Sequence, residues 1–153
     1  MMLGDNMNKE YNRVLKDLRI DRDLSQEDIA SILGYTKQNY SQIESGRILL
    51  SIKDLVALAN FYNVNTDYIL GLNDNKESST KKYIYNKGFI AEKLKECRVV
   101  RDISQKYISD TILNTSQSVY SRIENAEYEL NIINFIKLLK YYEVSSDMFL
   151  KIN

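Results

Sequence analysis

Histidine and proline are absent from these 153 residues, cysteine occurs once, and five glycines are scattered along the chain. Without histidine the chain lacks the commonest general base and the commonest metal ligand. The single Cys97 can form no intrachain disulfide, and with no histidine beside it no Cys/His zinc cluster can be assembled in one chain. No glycine-rich loop cradles a phosphate, and no pair of carboxylates stands out from the surface pattern. These absences argue against an enzyme and imply no cofactor and no metal. The missing proline fits an all-helical chain, although the first position of a helix would have tolerated it. No apolar run approaches the ~18 residues of a membrane span. Met1 to Glu10 lacks the charged start and apolar core of a secretory signal. A cytoplasmic location, away from the membrane, is therefore expected.

An excess of one charge is also missing. The chain holds 21 Lys and Arg against 21 Asp and Glu, so no global field attracts a polyanion. The halves differ, however. Residues 1–75 carry 8 basic and 11 acidic side chains, and residues 76–153 carry 13 and 10. Much of the second excess lies at Lys76, Lys81, Lys82 and Lys87. Contact with a nucleic acid would need a local patch. At 44% hydrophobic and 27% charged, the composition is that of a soluble globular protein.

What the chain does contain is the same pattern twice. Residues 15–70 include Leu15-x-x-Leu18-Arg19-x-x-Arg22-x-x-Ser25-Gln26-x-x-Ile29, then Thr36-Lys37-Gln38-Asn39-Tyr40-Ser41-Gln42-Ile43-Glu44, then Ser51-Ile52. Residues 94–150 include Leu94-x-x-Cys97-Arg98-x-x-Arg101-x-x-Ser104-Gln105-x-x-Ile108, then Ser116-Gln117-Ser118-Val119-Tyr120-Ser121-Arg122-Ile123-Glu124, then Asn131-Ile132. The offset is 79 up to Ile108 and 80 from Ile112, so one extra residue sits near Thr111. Two copies are too few for a solenoid. They read as two small domains, each near the lower size limit for folding alone.

Each copy predicts five short helices. Tyr11, Val14, Leu15 and Leu18 recur at helical spacing. Ser25 with Asp28 suggests a capping box, Ile29, Ala30 and Leu33 an inner face, and Gly34 a C-terminal stop. Thr36 caps a third helix with Tyr40 and Ile43 inward. Ser51 caps a fourth with Leu55, Leu58, Ala59 and Tyr62 inward. Thr66 opens a last turn ending at Gly71. Cys97 takes the slot of Leu18 as a small core residue. A polar stretch at 73–85 reads as a linker, spanning at most ~45 Å. The domains are then 1–72 and 86–153.

Two short helices joined by a glycine-containing turn form a helix-turn-helix, whose second helix fits the major groove. On Ser25-Gln26, Gly34, Thr36, Ile43-Glu44, Gly46 and Asp67-Tyr68-Ile69-Leu70-Gly71, the chain resembles the phage repressor/Cro-like helix-turn-helix proteins, the xenobiotic response element family. The likeness covers nearly all of 11–71 and, more loosely, 90–150. It implies an all-α chain of two tandem five-helix, lambda-repressor-like domains. It also implies a sequence-specific regulator of transcription, a repressor, that binds a double-stranded DNA operator as a homodimer and reads the major groove with helix 36–44. Gln26 would bond a phosphate. Lys37, Gln38 and Gln42 would face base edges, with Thr36, Asn39 and Ser41 alongside and Arg47 on the backbone. Gln suits adenine N6/N7 and Lys suits guanine O6/N7. Arg19 would pair with Glu44, and Arg98 with Glu124.

In the second copy Gln105 takes the slot of Gln26, and Gln117, Ser118, Ser121 and Arg122 fill the recognition-helix slots and could still read bases. Yet Ala126 replaces the glycine, Glu127 replaces Arg47, and Glu129 follows. Carboxylates there would repel phosphates. The second copy is either a reader or a dimerisation module, and its acidic loop favours two chains each contributing a first copy. The rival reading is a protein-interaction module or antitoxin that keeps the fold. Polar residues at 37, 38, 41 and 42 would also suit any solvated helix face.

Overall fold

The computed structural model describes the backbone of residues 3–76 and 82–153, with side chains from Glu10 onward in those ranges. The chain divides into two compact units, Met1–Thr80 and Lys81–Asn153.

The first unit consists, among the described residues, of α1 (Leu3–Asp21), α2 (Gln26–Leu33), α3 (Lys37–Glu44), α4 (Ile52–Tyr62) and α5 (Thr66–Ile69). The starts of α2 to α5 are each set by a side chain that accepts an otherwise orphaned backbone N–H. Ser25, Thr36, Ser51 and Asn65 accept from Asp28, Asn39, Asp54 and Tyr68. The capping box at Ser25 is complete, because the Asp28 carboxylate accepts the Ser25 backbone N–H at 2.7 Å. Gly34 ends α2 at φ 75°. The inner faces meet in one core of Tyr11, Leu15, Ile29, Tyr40, Leu55, Leu58, Tyr62 and Ile69, each buried. Leu33, expected inside, is half-buried. Each Leu or Ile sequestered in this way is worth about 1.5–3 kcal/mol, which offsets the weakness of helices only 8 residues long.

The second unit repeats the plan with α6 (Lys87–Val100), α7 (Gln105–Tyr107), α8 (Gln117–Glu124), α9 (Ile132–Tyr142) and a closing 3₁₀ turn, Ser146–Phe149. The extra residue finds its place here. After α7 the helix widens to a π turn over Ile108–Leu113, the form that absorbs one added residue without breaking the ladder. Ile108 and Leu113 stay buried five positions apart, while Thr111 faces solvent. Cys97 is buried, as are Tyr40 and Tyr120.

Residues 77–81 of the expected linker lie outside the described residues. Its last part differs from the expectation. Tyr83–Ile84 form β1, paired antiparallel with β2 (Lys151–Ile152) in the register Tyr83↔Ile152 and Ile84↔Lys151, and Tyr83 is buried. Two-residue strands leave no periodic signal, and here their neighbours in sequence are polar. Among the described residues no helix is long and apolar enough to cross a membrane.

Candidate nucleic-acid interface

A surface helix reads DNA only if its scaffold fixes it, and α3 is fixed from below. Tyr40 and Ile43 are buried in the core. Glu44, on the same face, keeps only 4% of its side chain exposed. Arg19 meets it as a fork, with Nε donating to Oε2 at 2.9 Å and Nη2 to Oε1 at 2.7 Å. The third corner of the guanidinium donates to the Leu24 carbonyl at 2.9 Å. Asn12 Nδ2 donates to the Ile43 carbonyl. Burial works to raise the Glu44 pKa, but the bonds and charge of Arg19, with the bond from Gln26, outweigh it and hold the carboxyl below its usual range.

The second unit rebuilds this pair. Arg98 Nε donates to Glu124 Oε1 at 2.7 Å and Nη2 to Oε2 at 3.0 Å, and Nη1 donates to the Ile103 carbonyl at 2.9 Å. Both ion pairs expected from the sequence are therefore present, with bidentate geometry.

The glutamines after Ser25 and Ser104 belong partly to the same network. Gln26 Nε2 donates to Glu44 Oε1 at 3.4 Å, and Gln105 Nε2 to Glu124 Oε2 at 2.9 Å. One amide hydrogen of each is spent inward, which leaves the second for another acceptor.

The outward face of α3 is uncommitted. Lys37 and Gln38 are exposed, and Ser41 and Gln42, one turn on, are half-buried. Residues four apart share a helix face, so these four form one strip. Thr36 caps the helix, and the half-buried Asn39 lies beside the strip. Gly46 turns the chain at φ 84°, and Arg47, exposed, follows with its N–H on the Gln42 carbonyl at 2.9 Å. Among the described residues, no hydrogen bond or ion pair occupies the side chains of Lys37, Gln38, Gln42 or Arg47.

The equivalent surface of α8 is different. Gln117 and Ser118 are exposed and Ser121 half-buried. Arg122 is held by its own unit, donating to the Tyr128 hydroxyl at 2.5 Å. It lies over the Tyr128 ring at 5.1 Å and within 3.9 Å of Glu127. Glu129 accepts from the Tyr85 hydroxyl at 3.1 Å, and burial with that bond raises the Tyr85 phenol to about 12. Ala126 keeps the left-handed turn of Gly46, at φ 60°.

The second arginine of each repeat has a part that its place in the motif does not announce. Arg22 Nη2 donates to the Tyr62 carbonyl at 2.6 Å and lies over the Tyr62 ring at 5.1 Å. Arg101 does the same at Tyr142, at 3.1 and 4.7 Å. Each closes the C-terminus of the fourth helix of its unit, where a cation complements unpaired carbonyls. The recurrence of Arg-x-x-Arg at the same spacing was the available signal.

The chain belongs to the helix-turn-helix family of Cro/CI type, whose model matches it twice, over residues 15–69 and 94–149. Among curated proteins it is 33% identical over 72 residues to YobD, an uncharacterized HTH-type transcriptional regulator of Bacillus subtilis, covering 47% of this chain and 64% of the relative. It is 38% identical over 60 residues to YonR, an SPbeta prophage-derived uncharacterized HTH-type transcriptional regulator of the same organism, covering 39% and 56%. It is 35% identical over 54 residues to RstR, a cryptic phage CTXphi transcriptional repressor of Vibrio cholerae, covering 35% and 49%. The chain thus spans between about half and two thirds of the length of these relatives. No solved structure matches it significantly.

Proposed function

We propose that this chain is a sequence-specific, double-stranded-DNA-binding regulator of transcription, a repressor, in which α3 enters the major groove. The observation that carries this reading is the contrast between the two recognition helices. The side chains of Lys37, Gln38, Gln42 and Arg47 have no partner among the described residues, whereas Arg122 is tied to Tyr128 and Glu127. Free polar side chains above a rigid base are what direct readout requires. The repressor named among the relatives supports the same reading.

In this account Gln26 and Arg47 bond phosphates, and Lys37, Gln38 and Gln42 read base edges. The second unit holds two chains together instead of reading. Glu127 and Glu129 repel a phosphate backbone, and the captive Arg122 offers little compensating charge. The working form is then a cytoplasmic homodimer with two α3 helices about 34 Å apart on one face of the duplex.

Enrichment of duplexes from a random-sequence pool by the full chain tests this. The expected product is a two-fold symmetric site bound by two chains. Failure to enrich any sequence would overturn the reading. A site with unlike halves protected by one chain would instead make α8 a reader.

A further inference from the structure

The first unit contains a contact that its own repeat does not reproduce. Tyr35 lies in the turn between α2 and α3. Its backbone N–H donates to the Ala30 carbonyl at 2.8 Å, closing α2, and the next residue, Thr36, caps α3. Its hydroxyl donates to Asp54 Oδ2 at 2.7 Å. Asp54 is buried in the first turn of α4, with its own N–H capped by Ser51 at 3.0 Å. Tyr35 therefore touches the end of α2, the start of α3 and the start of α4. At the matching places the second unit has Thr115 and Asn134. The backbone bond survives there, from Thr115 N to Ser109 O at 2.9 Å, but no hydrogen bond joins the two side chains.

The other ties on α3 act toward its C-terminal end, where Arg19 grips Glu44 and Asn12 grips the Ile43 carbonyl. The outward residues Lys37 and Gln38 stand at the opposite end. A helix pinned at one end pivots, and the free end moves most. Bidentate base contacts tolerate little displacement, so an anchor at the N-terminal end matters more for reading sequence than for general adhesion to phosphates.

We propose that Tyr35 is a positioning residue for DNA recognition: its hydroxyl bond to Asp54 sets the N-terminal end of α3, and with it Lys37 and Gln38, against the scaffold. The proposal rests on α3 being the reading helix.

The test uses the full chain and two probes, a duplex enriched from a random-sequence pool by the wild-type chain and an unrelated duplex of equal length. Tyr35→Phe removes only the hydroxyl. Affinity for the enriched duplex falls about tenfold, the scale of one hydrogen bond to a charged group. Affinity for the unrelated duplex, and its salt dependence, stay unchanged because the phosphate contacts are intact. Asp54→Ala reproduces that loss, the double variant is no worse than either single one, and Asp54→Asn, which keeps an acceptor oxygen, retains the wild-type ratio of the two affinities. A variant that merely folds less well loses both affinities in proportion and leaves the ratio where it was, so the ratio separates positioning from stability. A wild-type ratio in Tyr35→Phe overturns the proposal, and so do losses that multiply in the double variant. If the wild-type chain enriches no duplex, the reading of α3 fails and the proposal with it. If it enriches one and the ratio does not move, the positioning role alone fails.

Discussion

Glu44 and Glu124 are almost fully buried carboxylates, with 4% and 1% of their side chains exposed, and each is neutralised by one arginine fork. Removing the partner strands a charge, so Arg19→Met should destabilise the first unit by ~3–5 kcal/mol. Because the folded-state pKa of Glu44 lies below its ordinary value of 4.5, the pair contributes its full stability above that value. The contribution is lost as pH falls through the lower, folded value. Urea unfolding followed as pH falls from 7 through the acid range should therefore show a larger loss of stability in the wild-type chain than in Glu44→Gln. Ala126 illustrates a local cost. It holds φ 60° where the first unit has Gly46 at φ 84°, a region that disfavours a Cβ by about 1–2 kcal/mol. Ala126→Gly should raise the stability of the second unit by about 1 kcal/mol, read as a higher denaturant midpoint at unchanged slope. The ion pairs were legible in the sequence because Arg19 and Glu44 recur as Arg98 and Glu124. Tyr35–Asp54 was not, because it occurs once and a tyrosine in a turn carries no spacing signal.

Helix starts were readable wherever a Ser or Thr stood before an apolar stripe, as at Ser25, Thr36 and Ser51, because the cap is a local interaction between residues three apart. The change of offset from 79 to 80 revealed an added residue but not its form, since a loop, a bulge and a π turn all lengthen a chain equally. The buried pair Ile108 and Leu113 decided for the π turn over Ile108–Leu113. Deleting Thr111 should restore the four-residue spacing of Ile29 and Leu33 and give a continuous α-helix. The expected result is a folded second unit with undiminished thermal stability, and an unfolded one would mean that the wider turn is required by its neighbours. β1 and β2 stayed hidden because two-residue strands lie below any periodicity and their partners are distant in sequence. In the loop after α3, the Arg47 side chain is exposed and without a partner among the described residues. Arg47→Ala should weaken binding to all duplexes and lower the slope of log affinity against log salt by about one.

At the scale of the whole molecule, one sequence plan has been used twice and its two copies have diverged at the surface while keeping the core. Both keep the arginine–glutamate fork, the glutamine that joins it and the arginine that closes the fourth helix. They differ where a duplex would lie. The loop Gly46-Arg47-Ile48 is cationic, and Ala126-Glu127-Tyr128 binds Arg122 to itself. The central claim is that α3 and not α8 reads DNA, and matched substitutions in the full chain test it most directly. Gln38→Ala and Gln42→Ala are compared with Gln117→Ala and Arg122→Ala on the duplex enriched by the wild-type chain. The account predicts a loss of ~1–3 kcal/mol for each change in α3 and affinity within twofold of wild type for each change in α8. Equal losses from both helices, or losses confined to α8, would contradict it.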